Sequence, residues 1–514
     1  MSSSRRLVSL RHIGTNSFWT FLSRVTGVVK QMVFSYLFGA GGDTFWAAFR
    51  LVNAFRRYVG EGGALGSAFI PVFNQVREKE GEESARHFAR RVMTVFLGIS
   101  LLLVAVLSLT AFWYGPLLAP GFDAPRMREY IFLMIIMMPY ILLVNWYAFQ
   151  MGVLNSFHLF GFSAAGPVLF NVVFIVLPLF FPGKTGIYVS AFSVVIGALI
   201  MVALQAKDII KVGYGFVPMG KSHPAEKHFW GLFWPTAGNM VALTVKNFFA
   251  TWFLSFFVGG YVVYMNAFTV VSAPLGFIAI AVGTVLMPLL SQFRQRDGSG
   301  EFSRAVEEGF LFLLYWTLPL MVYFVVFPDT VNRVLFSDIF VALLGHSGRM
   351  TPELLTLSHR VLRIFGLALL PMSAAVVFEK IFYALHDART PFRSSILTLV
   401  VTGGLYFVAF LPQVGVLGVI AAETVSSYVV IVYYFARLRS EMLDPSLWKR
   451  LIRRGVVWML LSVVVAGVVW LGYRRVVEFV KPGWMYIGLS GCVFVVFMGL
   501  YYLLTRMLKV EFYR

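Results

Sequence analysis

The sequence predicts an all-α polytopic membrane protein of about fourteen transmembrane helices, with two six-helix lobes as parallel pseudo-repeats followed by two C-terminal helices. Three observations predict it. The chain of 514 residues is 59% hydrophobic and only 13% charged, with a mean hydropathy of +0.78, a balance foreign to soluble domains. Apolar runs of about 20 residues recur from end to end, the length a helix needs to cross a bilayer while satisfying its own backbone hydrogen bonds. A basic loop motif of the first half returns in the second, so one helical unit is used twice.

The spans fall near 13–38, 44–75, 92–114, 130–152, 160–181, 186–205, 229–257, 262–291, 306–327, 358–384, 394–411, 415–436, 454–473 and 484–505. The first follows SSSRRLVSLRH, which leads into no A-x-A-like cleavage site, so the segment is expected to stay in the mature protein. The second contains Gly60, Gly62 and Gly63, where a helix can deform. A short polar turn, GVLNSFHLFGF from Gly152, separates the fourth and fifth spans, and YALHDARTPFR from Tyr383 separates the tenth and eleventh. The last two spans lie outside the repeat. The expected domains are an N-lobe at 1–210 with helices 1–6 and a cationic cavity wall, a C-lobe at 211–440 with helices 7–12, and a C-terminal helix pair at 441–514. Cys492, the sole cysteine, lies in the last span and is expected to be buried there. It permits no intrachain disulfide and no cysteine metal site.

The repeat is plainest in the loops. PVFNQVREKEG, Pro71 to Gly81, is matched by PLLSQFRQRDG, Pro288 to Gly298, with proline, glutamine, arginine, a second cation, an acid and glycine at identical offsets. Just upstream, GGALGSAFI faces AIAVGTVLM, which sets Gly66 opposite Gly283 and Ser67 opposite Thr284. Parallel repeats related by an axis along the membrane normal suit alternating access, with the site between the halves near the midplane.

The formal charge is +19, and its distribution argues against a nucleic-acid partner. Lys and Arg concentrate in alternate loops, and the positive-inside rule puts that set, with both termini, in the cytoplasm. The excess is then a topology signal and a contact with the anionic head groups of the phospholipid bilayer.

Charges also stand inside the spans: Arg24, Lys30, Arg50, Arg56, Arg57, Glu61, Lys246, Arg363, Glu379, Lys380 and Glu423. A lone charge at a helix centre costs about 2.5–3.5 kcal/mol, so such a cluster must face water, a partner or a ligand. In the first two spans five cations face one acid, and internal pairing leaves most of them uncompensated. On a helical wheel Asn53, Arg57 and Glu61 advance by about 40° per step and Arg50 lies about 20° from Arg57, so the four share a face, with Arg56 about 100° round. Two readings stand for Arg57 and Glu61, a local i,i+4 ion pair or a ligand role. Two stand for Arg24, Lys30 and Arg56, snorkelling to an interface or lining a cavity. The matching segment of the second half, VVSAPLGFIAIAVGT, carries no charge, so one half is expected to supply cations and the other an apolar wall. Guanidinium forks fit phosphate oxygens. A phosphate-bearing amphiphile fits both surfaces.

FLSRVTGVVKQ in span one, VNAFRRYVGEGGALGSAFIPVF in span two, MGVLNSFHLFGFSAAGPVLFN across spans four and five, APLGFIAIAVGTVLMPLLS in span eight and EKIFYALHDARTPF after span ten resemble the lipid II flippase family (MurJ, also called MviN) of the multidrug/oligosaccharidyl-lipid/polysaccharide exporter superfamily. The resemblance covers spans one to twelve. It implies two six-helix lobes around a central cationic cavity and a C-terminal pair forming a hydrophobic groove for a polyprenyl tail. It further implies a multi-pass protein of the bacterial cytoplasmic (inner) membrane that moves a polyprenyl-pyrophosphate-linked sugar-peptide to the outer leaflet, serving peptidoglycan synthesis and cell shape, alongside other cell-wall synthesis proteins as partners. Carried onto matching positions, Arg24 and Arg56 would hold the pyrophosphate region, Glu61 would structure the same wall, and Lys30, Arg57, Asn53 and Arg50 complete the expected substrate-binding set. The chain departs from the family pattern at Lys30-Gln31, where the family has Arg-Asp, at Val52 in place of proline, and at Thr269 in place of a span-eight arginine. These departures leave the head group open. Where sodium-binding relatives carry a span-seven carboxylate, this chain has Lys246, a charge replacing an ion site.

Two other functions compete. A cation-coupled exporter of drugs or of another lipid-linked saccharide would use buried carboxylates, of which the spans, beyond their first few residues, hold only Glu61, Glu379 and Glu423. A membrane-embedded glycosyl- or acyltransferase would cluster His, Asp or Glu at one interface, yet the eight histidines fall mostly in loops and His223 and His228 match no metal motif. The expectation is a transporter with no catalytic residues, metal or cofactor.

Overall fold

The computed structural model describes residues 3–56, 63–157, 159, 161–181, 183–215, 222–295, 299–438, 443–444 and 446–510. Arg57, Glu61 and the loop residues 296–298 of the repeat motif lie outside the described residues. Among the described residues every expected span falls on a helix or a consecutive pair of helices, and there is no strand. By length and composition nine of these helices, or ten if a pair bent by 41° counts as one, are apolar enough to cross a membrane among the described residues. The spans that miss this test include the ones that carry Arg24, Lys30, Arg50, Arg56 and Lys246; the span that carries Arg50 and Arg56 is divided between helices of 12 and 17 residues. The chain divides into two compact units, Met1–Tyr261 and Val262–Arg514.

In the first unit α1 is Ser3–Phe38, α2 Asp43–Ala54, α3 Ala64–Glu80, α4 Glu82–Leu109, α5 Ala111–Leu118, α6 Ala124–Met137, α7 Pro139–Ser156, α8 Gly161–Leu179, α9 Lys184–Lys211 and α10 Ala225–Leu254. The seventh span, α10, therefore packs with this unit, along α3. Polar contacts fasten it near its N-terminus, where His223 Nε2 meets Ser84 Oγ at 2.9 Å and Arg91 pairs with Glu226 at 3.5 Å. Asp43, in the first turn of α2 and 1% exposed, accepts from Arg126 Nη2 at 3.0 Å and from the Gly259 amide at 2.6 Å. Gly121 is required beside this joint, since a Cβ there would stand 2.4 Å from the Phe256 amide nitrogen.

In the second unit α11 (Gly260–Pro274, which begins at the end of the first) continues through a π turn at Leu275–Ala279 into α12 (Ile280–Gln295). Pro274 lacks the N–H of a regular ladder, and the register shifts directly after it. Then follow α13 (Ser299–Val326), α14 (Pro328–Arg333), a second π turn at Val334–Asp338, α15 (Ile339–Leu344), the bent pair α16 (Pro352–Gly366) and α17 (Leu369–Ala384), α18 (Arg389–Leu405), a 3-10 turn at Tyr406–Phe410, α19 (Val416–Arg437), α20 (Leu447–Val477) and α21 (Trp484–Met507). Cys492 on α21 is exposed rather than buried. Its neighbours Val495 and Val496 are exposed as well: in a membrane helix the outward face is as apolar as the core, so apolar surroundings in sequence do not imply burial.

The HDART turn between α17 and α18 is built on Asp387. Its carboxylate accepts from the Arg389 amide at 2.9 Å, the Thr390 amide at 3.0 Å and Thr390 Oγ1 at 2.6 Å. Burial pushes this carboxyl up, but the bonds from Thr390 and Arg389 outweigh it and hold the group below the usual carboxylate range. A depressed carboxyl stabilises the fold above its unfolded pKa and loses that contribution as pH falls through the folded value, so acid below about pH 4 should loosen this turn. Asp387→Ala should cost about 1 kcal/mol, as loss of a helix-start acceptor does. A melting temperature equal to wild type at neutral pH would contradict it.

Candidate functional site

The site is built where α1, α2, α7 and α8 meet. Asn171 of α8, 7% exposed, donates to Ser23 O and to Thr26 Oγ1 of α1, both at 3.1 Å, and so fixes the rotation of α1 where its cations stand. One turn on, the Lys30 ammonium lies 5.3 Å from the Phe174 ring centroid, 5.6 Å from Phe49 and 5.8 Å from Phe170. Three ring faces around an ammonium stabilise the charge without neutralising it. Tyr140, at the start of α7, packs against both Phe49 and Phe170. Its hydroxyl donates to Asn53 Oδ1 at 3.2 Å and interacts with Arg56, which also acts electrostatically on Lys30.

Lys30, Asn53 and Arg56 are thus brought together around Tyr140. Among the described residues none of Arg24, Lys30 and Arg56 forms an ion pair. Arg24 is half-buried on α1, about 9 Å along the axis from Lys30 and about 120° round it, so the two stand on different faces of the helix. Arg50 turns elsewhere: its Nη2 donates to Asn247 Oδ1 of α10 at 2.8 Å, and it interacts with Tyr261. Lys246 is half-buried beside Asn247. Arg57 and Glu61, expected on the same wall, lie outside the described residues.

Beside Phe55 the unit holds an apolar cavity of about 380 Å³, lined among others by Ser100, Asn145, Trp230, Trp234 and Phe248. In the second unit the span-eight segment is uncharged, as its sequence requires, and Thr269 is half-buried. A cation nevertheless lies across it, because the stem of Lys380 on α17 packs over Gly283, where a Cβ would come within 3.2 Å of it. This unit also carries an apolar groove of about 380 Å³ between α13, α17, α19 and α20, lined by Phe310, Phe378, Tyr428, Phe435, Trp448 and further aliphatic side chains.

The aromatic cage and the Tyr140 bridge escape a reading of single helices. The available signals are Phe170 and Phe174 at i,i+4 in span five, and the tyrosine directly after Pro139. Among the described residues no group of three or more His, Cys, Asp or Glu is placed to hold a metal ion.

Comparison with known proteins matches residues 34–489 to the family model described as lipid II flippase MurJ. A lipid II flippase MurJ from Burkholderia cenocepacia is 28% identical over 418 residues, covering 79% of each chain. A protein of Rhizobium tropici named "Probable lipid II flippase MurJ" is 28% identical over 474 residues, covering 88% of this chain and 85% of its own. Among solved structures, a lipid II flippase MurJ in an inward closed conformation superposes with a TM-score of 0.76 at 20% identity, covering 96% of this chain and 99% of the other. An inward-facing multidrug resistance transporter of the MATE family superposes with a TM-score of 0.65 at 13% identity over 81% of this chain and 94% of its own. These two likenesses concern the fold.

Proposed function

The chain belongs to the lipid II flippase MurJ family, and on that premise we propose that it carries lipid II, a polyprenyl-pyrophosphate-linked sugar-peptide, from the cytoplasmic to the outer leaflet by alternating access. It is a multi-pass protein of the bacterial inner membrane, a transporter and not an enzyme, and its substrate is a lipid held in the bilayer. The observation that carries the mechanism is the cluster of Lys30, Asn53 and Arg56 around Tyr140, with cations that no carboxylate among the described residues neutralises. Such a site attracts an anion, and guanidinium forks recognise pyrophosphate oxygens in pairs.

In this reading Arg24 and Arg56 hold the pyrophosphate, Lys30 adds a caged charge, and Arg57 and Glu61 extend the same wall. Asn53 orients Tyr140, and Arg50 fastens α2 to α10. Lys246 supplies a fixed positive charge where a sodium-coupled relative would place a carboxylate. The unit 2 groove takes the polyprenyl tail, and both termini face the cytoplasm near other cell-wall synthesis proteins. The cationic cluster counts against a cation-coupled drug exporter, which calls for buried acid in that place.

The function is tested by reconstituting the protein in liposomes with fluorescent lipid II and following head-group exposure to an impermeant quencher, and by replacing the resident flippase in cells and scoring survival. Failure in both would sink the reading. Orientation has its own test. In a Cys492→Ser background, required because Cys492 is exposed, cysteines at Glu83 and Lys449, both exposed, should react with an impermeant thiol reagent only after the cytoplasmic side is opened. Labelling of either in sealed cells would reverse the topology.

A further inference from the structure

One wall of the unit 2 groove, α20, is tied to the rest of that unit by polar contacts at both of its ends. At the end near residue 447, Arg450 reaches Glu307 of α13 with Nη2 to Oε2 at 2.6 Å and Nε to Oε1 at 2.8 Å. Its Nη1 donates to Asp444 Oδ2 at 2.9 Å, and the Asp444 amide donates to Ser303 Oγ of α13 at 2.9 Å. At the far end the Tyr473 hydroxyl donates to the Asp329 carboxylate and meets the Tyr486 hydroxyl at 2.8 Å. Asp338, 1% exposed, accepts from the Gly483 amide at 2.8 Å and pairs with Arg333 at 3.1 Å, whose guanidinium sits 3.6 Å from the Tyr486 ring centroid.

Apolar contact alone does not fix the separation of helices in a bilayer, because lipid chains are as apolar as the side chains they replace. Polar pairs do fix register, since slipping them strands a charge. Two such ties bracket a groove whose lining rings are already ordered against one another: Phe378 stacks on Trp448 at 6.0 Å and 24°, lies tilted by 57° to Phe310 at 5.0 Å, and meets Phe435 in a T-shaped contact at 5.0 Å. A slot of set width with flat aromatic walls suits a methyl-branched, unsaturated chain, whose planar double bonds can lie against ring faces.

We propose that the Arg450–Glu307 tie, with its counterpart between Tyr473 and Asp329, sets the width of the groove and thereby makes it selective for a long polyprenyl chain. This rests on the lipid II reading. Arg450 and Glu307 do not line the groove; they are positioning residues. Cutting the tie frees the end of α20 that carries Trp448 and Leu451, both lining residues, and the slot loses its preference before it loses its lipid.

The test compares initial flipping rates of fluorescent lipid II bearing an undecaprenyl tail with the same head group on a farnesyl-length tail, in liposomes of phosphatidylethanolamine and phosphatidylglycerol. Arg450→Met and Glu307→Gln should each lower the long-to-short ratio by roughly threefold to fivefold, the reach of a partly exposed ion pair, and Arg450→Lys should recover most of it. Membrane abundance and melting temperature show that each variant is folded, and Glu307→Gln serves if Arg450→Met is not. An unchanged ratio in the folded variants, or an equal loss for both tails, overturns the proposal while leaving the flippase reading intact. A wild-type protein that moves neither lipid overturns both.

Discussion

Arg56→Ala and Arg24→Ala should each lower lipid II flipping by about tenfold to a hundredfold while leaving the protein inserted at normal abundance. The size follows from the loss of charge-assisted hydrogen bonds to a dianionic pyrophosphate, each worth about 1.5–3 kcal/mol. Abundance should hold because neither side chain has an ion-pair partner among the described residues that its loss would strand. Arg56→Lys and Arg24→Lys should restore transport only in part, since lysine keeps the charge and loses the fork. A snorkelling arginine behaves oppositely: lysine would substitute fully, and alanine would mainly reduce the folded yield. The decisive comparison sets membrane abundance, melting temperature and flipping side by side for all four variants. Normal flipping by both alanine variants at wild-type abundance would remove these arginines from the mechanism and shift the anion to Lys30 or Arg57.

The helical segments were legible because hydropathy reports them directly, and the described residues of each expected span lie on a helix or a consecutive pair of helices. The cations of spans one and two were legible for the opposite reason, as charges that a bilayer does not tolerate without a partner or a purpose. What surrounds them was less so. A helical wheel puts Arg50 near Asn53, but the wheel carries no information on neighbouring helices, and the two side chains turn to α10 and α7 respectively. The ring cage of Lys30 draws on α2 and α8 at once, and spacing within one helix cannot show such a meeting. Lys380 lying over Gly283 is of the same kind: the absence of charge in span eight is a true statement about that segment and an incomplete one about its surface. The burial expected of Cys492 failed because lipid and protein core select the same side chains.

Asp43→Ala should be the most destabilising single change outside the cationic cluster, at about 3–5 kcal/mol, the cost of removing one partner of a buried ion pair. The residue is 1% exposed, and its carboxylate serves Arg126 and the Gly259 amide among its partners. Arg126 Nη2, at 3.0 Å, would keep its charge with nothing opposite, and the Gly259 amide, at 2.6 Å, would become an unsatisfied donor in a joint too tight to admit bulk at Gly121. Asp43→Asn keeps an acceptor for the amide and removes the counter-charge for Arg126, so its loss should be smaller. Arg126→Met leaves a buried carboxylate and should fall between them. The contact opens α2, whose other end leads into Asn53 and Arg56, so a loosened joint also blurs the placement of the site. Transport by Asp43→Ala should therefore fall along with its melting temperature and membrane abundance. Melting temperatures of Asp43→Ala and Arg126→Met within a degree of wild type would show that this pair does not hold the end of α2, and that the aromatic packing of Phe45, Trp46 and Phe49 suffices to do so.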